Sequence, residues 1–348
     1  MTAQTFTWPD VLSQLVARRD LSAEQATWAM TEILEGNTSP IRVAGFAVAL
    51  RAKGESVIEL EALADVMLSL TNQVQISGVA VDVVGTGGDR ANTVNISTMA
   101  SIVAAAAGAR VVKHGNRSAS SQCGTADVLE AVGLNLTVPA DKQQQVMDAA
   151  GLVFLFAPMY HSSLKHAAGP RRELGISTTF NFLGPLANPA KPRAQAIGVA
   201  DRSMAPLMAG VLARRGNQGM VFHGGDGLDE LTTTTDSLVW LIADGEVVET
   251  TLDPRELGLA RTTPESLVGG PPEVNARILR ETFAGAPGPV RDIVVLNGAA
   301  ALLAHDKPDL SVSLTEQLRD RVDRVRAALD EGAAAERLDR WVSASQAV

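Results

Sequence analysis

Beyond residue 80, short β-branched runs alternate with segments of helical character, and this alternation constrains the fold more than any other feature. The runs are VDVV, ARVVKHG, LVFLFA, QAIGVA, GMVFHG and SLVWLI. Strands that alternate with helices predict an α/β fold with a mostly parallel central sheet. Ligands of such sheets bind beyond the carboxyl ends of the strands, so we expect the motifs that end VDVV, ARVVKHG and GMVFHG to converge on one cleft.

The first 75 or so residues predict helices alone. Ser22, Pro40 and Ser56 mark helix starts, and Gly36 and Gly54 mark helix ends. A polar helical segment, PMYHSSLKHAAGPRRELGI, interrupts the later alternation, and we expect it to pack back on these helices. The sequence therefore predicts a small all-helical domain of residues 1–75 plus about 159–182, and a larger α/β domain of residues 76–158 plus about 183–348.

Charge and cysteine content narrow the function classes. The formal net charge is -9, which argues against general binding to nucleic acid or to an anionic membrane surface. Cys123 is the one cysteine, so the chain can form no internal disulfide, as is usual in a reducing compartment. The N-terminal residues do not resemble a signal peptide. We expect a cytoplasmic protein that binds neither nucleic acid nor membrane.

A glycine-rich stretch, VVGTGGDRANTVNIST at residues 83–98, joins the first strand to an alanine-rich helix. Glycines let backbone N–H groups approach a ligand, and a helix N-terminus adds partial positive charge, so this loop predicts a phosphate site. It departs from the dinucleotide fingerprint G-x-G-x-x-G, and it lacks the lysine of a P-loop. The alternative is an ordinary turn that ends in an Asn or Ser helix cap.

A second motif, KHGNRSASS at residues 113–121, follows the next strand. Lys113 and Arg117 supply positive charge, and the serines and the amide supply neutral donors for an anionic ligand. The alternative is a solvated loop in which Arg117 forms an ordinary salt bridge. For His114, packing inside the protein and contact with a ligand are equally consistent with the sequence.

A third motif, HGGDGLDEL, places the adjacent carboxylates Asp229 and Glu230 after another strand. Such oxygen ligands suit a Mg²⁺ ion shared with phosphates, and paired carboxylates can also perform acid–base chemistry. The alternative is a surface turn.

A fourth motif, RRELGISTTFNFLGPLANP, begins with two arginines, either of which can pair with a ligand carboxylate or form a surface salt bridge. His161 and His166 do not share a helix face well, so we expect no zinc site there.

The four motifs, in this order and over essentially the whole chain, resemble the anthranilate phosphoribosyltransferase family. The resemblance implies a small helical domain, a large α/β domain and a homodimer. It also implies transfer of phosphoribose from 5-phosphoribosyl 1-pyrophosphate (PRPP) to the amine of anthranilate, with release of pyrophosphate. This reaction is the second step of the tryptophan branch and uses Mg²⁺, for which we expect two ions in each active site.

The resemblance also implies the site residues. Asp229, Glu230 and Ser97 would hold the metal, and Gly85, Asn116 and Arg171 would contact anthranilate, with Arg171 on its carboxylate. We call residues 113–124, which begin with the second motif, the serine-rich loop. PRPP would contact the glycine loop, the serine-rich loop and the residue after it through Gly85, Gly88, Asp89, Thr93, Asn95, Ile96, Ser97, Thr98, Lys113, His114, Gly115, Asn116, Arg117, Ser118, Ala119, Ser120, Ser121 and Thr125.

The chemistry of the reaction agrees with this set of residues. An aromatic amine is already neutral, so no general base is required, and we expect Lys113, Asp229 and Glu230 to act electrostatically. One rival is an enzyme like the pyrimidine nucleoside phosphorylases, which would cleave a nucleoside with inorganic phosphate. A rival of another class is a non-enzymatic relative that binds nucleic acid, which the net charge of -9 disfavours.

Overall fold

The computed structural model describes residues 6–118 and 121–348. Its N-terminal part is helical, as predicted. Ser22 and Ser56 each form a capping box with the residue three positions later, so the predicted starts at these serines are confirmed. Pro40 occupies the first turn of the helix between them. The helices are α1 (Trp8–Val16), α2 (Ala23–Leu34), α3 (Pro40–Lys53) and α4 (Val57–Ser69).

Seven strands of the described residues form one sheet in the order β3-β2-β1-β4-β5-β6-β7. All pairs from β3 to β5 are parallel, and β6 and β7 continue the sheet antiparallel to their neighbours. The prediction of a mostly parallel sheet is therefore confirmed. The strands are β1 (Val81–Gly85), β2 (Val111–Gly115), β3 (Leu152–Phe156), β4 (Ala194–Gly198), β5 (Gln218–Gly224), β6 (Ser237–Ala243) and β7 (Glu246–Leu252).

Helices cover both faces of the sheet. The glycine Gly298 in helix α13 (Pro289–Asp306) allows this helix to pack closely on helix α5 (Ile96–Ala106), because a Cβ at Gly298 would lie 2.8 Å from Val103 of α5. No helix of the described ranges is long and apolar enough to cross a bilayer. The helices are α5 (Ile96–Ala106), α6 (Thr125–Ala131), α7 (Gln143–Ala150), α8 (Ala157–Tyr160), α9 (Lys165–Leu174), α10 (Phe180–Leu183), α11 (Ala205–Arg214), α12 (Pro272–Phe283), α13 (Pro289–Asp306), α14 (Leu314–Asp330) and α15 (Ala333–Gln346).

Two hydrophobic clusters stabilise this arrangement. One contains α5, α13, α14 and the face of the sheet against which they pack. The other joins α1 to α4 with α11 and with side chains of the opposite face, such as Ile197 and Val221. The polar segment after β3 returns to the N-terminal helices, because α9 contacts α2 and α3. The helical part of the protein is thus built from two separate pieces of the chain.

A buried polar network connects these helices with the segment that leads back to the sheet. The Thr179 hydroxyl donates a hydrogen bond to Glu55 at 2.6 Å, and the Glu55 side chain is only 1% exposed. Arg51 pairs with Glu55 at 3.1 Å and also pairs with Asp201, which lies beyond β4. The guanidinium of Arg51 lies over the ring of Phe182. Three separated parts of the chain therefore meet around the Arg51–Glu55 pair.

This network predicts that neighbouring threonines respond differently to the same substitution. Thr179→Val removes a hydrogen bond to a buried carboxylate, and we expect the free energy of unfolding to fall by about 1–3 kcal/mol. The adjacent Thr178 hydroxyl is also buried but has no hydrogen-bond partner among the described residues, so Thr178→Val should not destabilise the protein. Urea denaturation of the two variants measures the difference, and equal losses would contradict the role given to Thr179.

Candidate active site

The carboxyl ends of β1, β2 and β5 bring the first three motifs together at one edge of the sheet. The backbone N–H of Gly87, after β1, donates a hydrogen bond to the Asp229 carboxylate, after β5, at 2.7 Å. The ammonium group of Lys113, in β2, donates to the hydroxyl of Ser97 at 3.2 Å. Residues of the three motifs therefore meet at this place, as expected.

The glycine loop is an irregular turn rather than a simple helix cap. Gly87 and Gly88 have positive φ angles of 70° and 89°, a conformation that glycine adopts without strain. Asn95 occupies the N-cap position of α5 but its side chain makes no capping hydrogen bond there. Its amide group instead donates to the carbonyl of Cys123 at 3.1 Å. The alternative of an ordinary turn with an Asn cap is thus disfavoured.

Glycines of two adjacent strands make room for Asp229. A Cβ at Gly85, the last residue of β1, would overlap the Asp229 carboxylate. Gly198, which pairs with Gly85 across β1 and β4, lies against the Asp229 carbonyl, and a Cβ there would overlap it. Gly198 is not among the residues predicted from the sequence. A glycine at the end of the apolar run QAIG was the one available signal.

Lys113 is only 1% exposed and lies within the electrostatic influence of three carboxylates. Its ammonium group also donates to a backbone carbonyl of β1 at 2.5 Å. Burial lowers the pKa of Lys113 to about 8, and the negative charges of Asp82, Glu230 and Asp229 oppose this shift. The lysine therefore supplies positive charge at the place where the three motifs meet.

The carboxylates of the third motif lie close to a further acidic side chain, that of Asp89. Burial, together with the charge of Asp89, raises the pKa of Asp229 to about 7. Burial and the charge of Asp229 raise the pKa of Glu230 well above its usual range, although a backbone N–H of Ser97 donates to Glu230. Such crowding of negative charge would be relieved by a divalent cation, and the oxygen donors suit Mg²⁺.

These residues do not enclose a metal ion by themselves. In the part of the chain that the structure describes, no three His, Cys, Asp or Glu side chains are grouped closely enough to do so. Mg²⁺ normally binds to one or two carboxylates, with water and substrate phosphates as its other ligands. Asp229, Glu230 and the hydroxyl of Ser97 fit this mode of binding.

The serine-rich loop is fastened to the N-terminus of α6. Asp127 accepts hydrogen bonds from the backbone N–H groups of Ser118, at 3.2 Å, and of Gly124, at 2.8 Å. The hydroxyls of Ser118 and Ser121 are 2.7 Å apart. Asn116 is exposed, whereas Thr125 contacts Thr98 of α5 at 3.4 Å. Two residues of the predicted PRPP set, Ala119 and Ser120, lie outside the described residues.

Two side chains of the second motif have partners within the protein. Arg117 pairs with Asp127 at 2.8 Å and with Glu130 at 2.9 Å, which raises its pKa, so the salt-bridge alternative describes this conformation. His114 lies 3.3 Å from the carbonyl of Gly184, and burial lowers its pKa to about 3. A neutral imidazole adds no positive charge to a phosphate site. Contact of either side chain with PRPP stays a prediction.

The two arginines of the fourth motif differ in their surroundings. Arg172 is exposed, whereas Arg171 is half-buried and lies over the ring of Phe180, 5.6 Å from its centroid. Burial lowers the pKa of Arg171, and no acidic side chain of the described ranges opposes this shift. A partly desolvated guanidinium without a carboxylate partner suits an anionic ligand.

Several further polar residues support the site and were not identified from the sequence. Asp82, buried in β1, accepts hydrogen bonds from the Asn188 side chain at 2.8 Å and from the backbone of His114 at 3.2 Å. Burial raises the pKa of Asp82 to about 6. The one indication of Asp82 in the sequence is a single acidic residue within the apolar run VDVV.

The thiol of Cys123 is a poor nucleophile, because burial raises its pKa to about 11.

The contact between Gly198 and Asp229 predicts a large effect of one added methyl group. Gly198→Ala should displace the Asp229 backbone and reduce kcat/KM of the expected transfer reaction about 100-fold, because small misplacements at a reacting centre are costly. Gly169→Ala is the matched control, since a Cβ at Gly169 meets no described atom within 4 Å. Steady-state kinetics on both variants, with circular dichroism to verify folding, measures the effect. Similar activities of the two variants would refute the contact's importance.

Comparison with known proteins agrees with the geometry. Family models for the a/b domain and the helical bundle domain of the glycosyl transferase family match residues 77–335 and 9–71. The chain is 56% identical over 341 residues to an anthranilate phosphoribosyltransferase of Thermobifida fusca, covering 98% of this chain and 97% of that one. It is also 56% identical over 339 residues to one of a Nocardioides species, covering 97% and 99%.

Solved structures with the same name share the fold. The crystal structure of the Thermus thermophilus enzyme has a TM-score of 0.89 at 37% identity, covering 97% of this chain and 99% of that one. The Saccharomyces cerevisiae enzyme in complex with PRPP and Mg has a TM-score of 0.87 at 25% identity, covering 98% of both chains. The predicted α/β fold with a small helical domain is confirmed. The chain belongs to the anthranilate phosphoribosyltransferase family.

Proposed function

We propose that this chain transfers the phosphoribosyl group of PRPP to the amine of anthranilate, with release of pyrophosphate. The observation that carries the proposal is the meeting of the glycine loop, Lys113 and the Asp229–Glu230 pair at one edge of the sheet. PRPP carries a 5′-phosphate and a pyrophosphate, so it needs donors and cations on two sides. The two loops supply donors, and the lysine and a metal ion supply positive charge.

We propose that Asp229, Glu230 and Ser97 hold Mg²⁺, with two ions in each active site. The raised pKa values of both carboxylates fit a site that gains from a cation, and the relative from Saccharomyces cerevisiae has been solved with PRPP and Mg. A metal ion held by these residues would supply positive charge for the leaving pyrophosphate.

The chain's own residues contribute mainly orientation and charge. Lys113 is held by a backbone carbonyl of β1 and by Ser97, so its ammonium group has a fixed position at the centre of the site. Anthranilate's amine is neutral and attacks C1 of the ribose as the bond from C1 to pyrophosphate breaks. The nitrogen loses its extra proton to water or to the departing pyrophosphate only after the new bond has formed, which makes a general base unnecessary. Arg171, half-buried and without an acidic partner among the described residues, is suited to the anthranilate carboxylate. Gly85 and Asn116 would complete the acceptor site.

The division into domains and the assembly also remain proposals. We assign residues 1–75 and about 159–182 to the small domain and residues 76–158 and about 183–348 to the large one. The chain would act in the cytoplasm as a homodimer. Ile41 and Val48, seven residues apart on α3, are 80% and 39% exposed, and an apolar helix face of this kind supports association of two copies.

The first test of the function is direct. Purified protein is mixed with anthranilate, PRPP and Mg²⁺, and the loss of anthranilate fluorescence is followed. We expect turnover that requires PRPP and stops when EDTA removes the metal. Absence of turnover, with nucleoside cleavage by inorganic phosphate in its place, would refute the proposal.

Removing the charge of Glu230 should act through the metal. We expect Glu230→Gln to reduce kcat at least tenfold at ordinary Mg²⁺ concentration, with partial recovery when the Mg²⁺ concentration is raised. The control is Glu246→Gln, because Glu246 is exposed on the edge strand β7. A Mg²⁺ titration of initial rates measures both, and full activity of Glu230→Gln at ordinary Mg²⁺ would exclude Glu230 as a ligand.

Removing the guanidinium of Arg171 should affect the acceptor alone. A charged hydrogen bond to a carboxylate contributes about 1.5–3 kcal/mol, so Arg171→Ala should raise the KM for anthranilate roughly 10- to 100-fold while the KM for PRPP stays unchanged. Arg172→Ala, at the exposed neighbouring position, is the matched control. The kinetic constants for each substrate are compared at saturation with the other. A selective rise in the KM for PRPP would reverse the assignment.

A further inference from the structure

A segment far along the chain braces the glycine loop. Residues 267–270 run beside residues 92–94, and Val268 pairs with Thr93 in an isolated antiparallel bridge. The backbone N–H of Val94 donates to the carbonyl of Leu267 at 2.9 Å, and the N–H of Gly269 donates to the carbonyl of Asn92 at 2.9 Å. The loop is thus held on one side by a short piece of extended chain.

A relay of two side-chain amides continues this brace across to the serine-rich loop. The backbone N–H of Gly270 donates to Oδ1 of Asn275 at 2.8 Å. Nδ2 of Asn275 donates to Oδ1 of Asn95 at 2.9 Å, and Nδ2 of Asn95 donates to the carbonyl of Cys123 at 3.1 Å. A backbone N–H begins the relay and a backbone carbonyl ends it. Both amides are therefore fixed in one orientation, because reversing either amide would place a donor against a donor or an acceptor against an acceptor.

Packing between the loops is incomplete here. A cavity of about 130 Å³ lies between them, lined by residues of the glycine loop, of the serine-rich loop and of the bracing segment. Asn275 itself is only 3% exposed, and burial of an amide is costly unless its hydrogen bonds are made. The relay therefore adds to the other direct contacts between the two loops, in which the Cys123 thiol donates to Oδ1 of Asn95 at 3.4 Å and the hydroxyls of Thr98 and Thr125 lie 3.4 Å apart.

We propose that Asn275 is a positioning residue for PRPP. Through Asn95 it holds the glycine loop and the serine-rich loop at the separation that a substrate with phosphates at both ends requires. The inference rests on the proposed function, because it assigns both loops to PRPP. Donors on separate loops bind a ligand well only when supporting hydrogen bonds fix their relative positions.

Two substitutions test this role. Asn275→Asp keeps the side-chain volume and the oxygen that accepts from Gly270, but it replaces the amide nitrogen that faces Asn95 with a second oxygen. The Asn95 oxygen then faces this carboxylate oxygen or, if the Asn95 amide reverses, the carbonyl oxygen of Cys123, so two oxygens repel in either orientation. Asn275→Ala removes the relay without adding charge. We expect both to raise the KM for PRPP, and the Kd for PRPP in calorimetry without anthranilate, about tenfold, while the KM for anthranilate changes less than twofold.

The matched control is Thr282→Val on the same helix, α12. Its hydroxyl is buried and donates only to the carbonyl of Ile278 within that helix, so its loss should reduce stability without affecting PRPP. Unchanged PRPP constants in the Asn275 variants, with a Tm lowered as in Thr282→Val, would overturn the proposal. A rise in Asn275→Asp alone would also overturn it, because charge and not position would then be the cause. If Asn275→Ala does not fold, Asn275→Ser takes its place as the uncharged variant, and an unchanged Kd in Asn275→Ser overturns the inference whereas a tenfold rise supports it.

Failure of the proposed function gives a different result. In that case the unaltered protein would bind PRPP without consuming anthranilate, or would not bind PRPP at all. The calorimetric comparison needs no anthranilate, so in the first case it still tests Asn275. In the second case the assignment of the loops to PRPP fails, and the role of Asn275 fails with it.

Discussion

The interaction on which the site depends is the burial of Lys113 among carboxylates. Asp82 lies within the sheet, and Asp229 and Glu230 lie beyond its edge, so negative charge exceeds the one positive charge between them. Burial, and after it the charge of neighbouring carboxylates, raises the pKa values of Asp229 and Glu230. A site of this kind gains from a divalent cation and, once it is bound, can accept the phosphates of PRPP.

The surrounding structure serves to keep these charges and the two loops in fixed places. Gly85 and Gly198 let Asp229 approach the ends of two strands, and the relay through Asn95 and Asn275 connects the loops across a cavity. On the other side, Glu55 joins the helical part to the segment that carries Phe180, the ring under Arg171. The region proposed to bind PRPP and the region proposed to bind anthranilate are thus supported by separate polar networks.

Much of the fold could be predicted because its signals are local. The local signals are the serine caps, a proline in a first turn and the β-branched runs, which all reflect interactions between residues close in sequence. The helices begin at the serine caps and the proline, and the parallel strands coincide with β-branched runs. Strand β7 gave no such signal. It is an edge strand whose residues are mostly exposed, so its sequence, EVVETTL, lacks the apolar pattern of a buried strand. Its pairing is decided by β6 beside it.

The sequence by itself determined the order of the elements, the chemical character of each motif and the family to which the chain belongs. Glycines, hydroxyls, a lysine and paired carboxylates after strands are properties of short segments. Only the tertiary structure decided which of these groups meet and in what state of charge. Asn275 reaches Asn95 across 180 residues, and burial makes His114 neutral. The folded loop brings Asp127 to the exposed Arg117, whereas the half-buried Arg171 has no acidic partner among the described residues. Solvent exclusion and long-range contacts set these properties, and neither is written in local sequence.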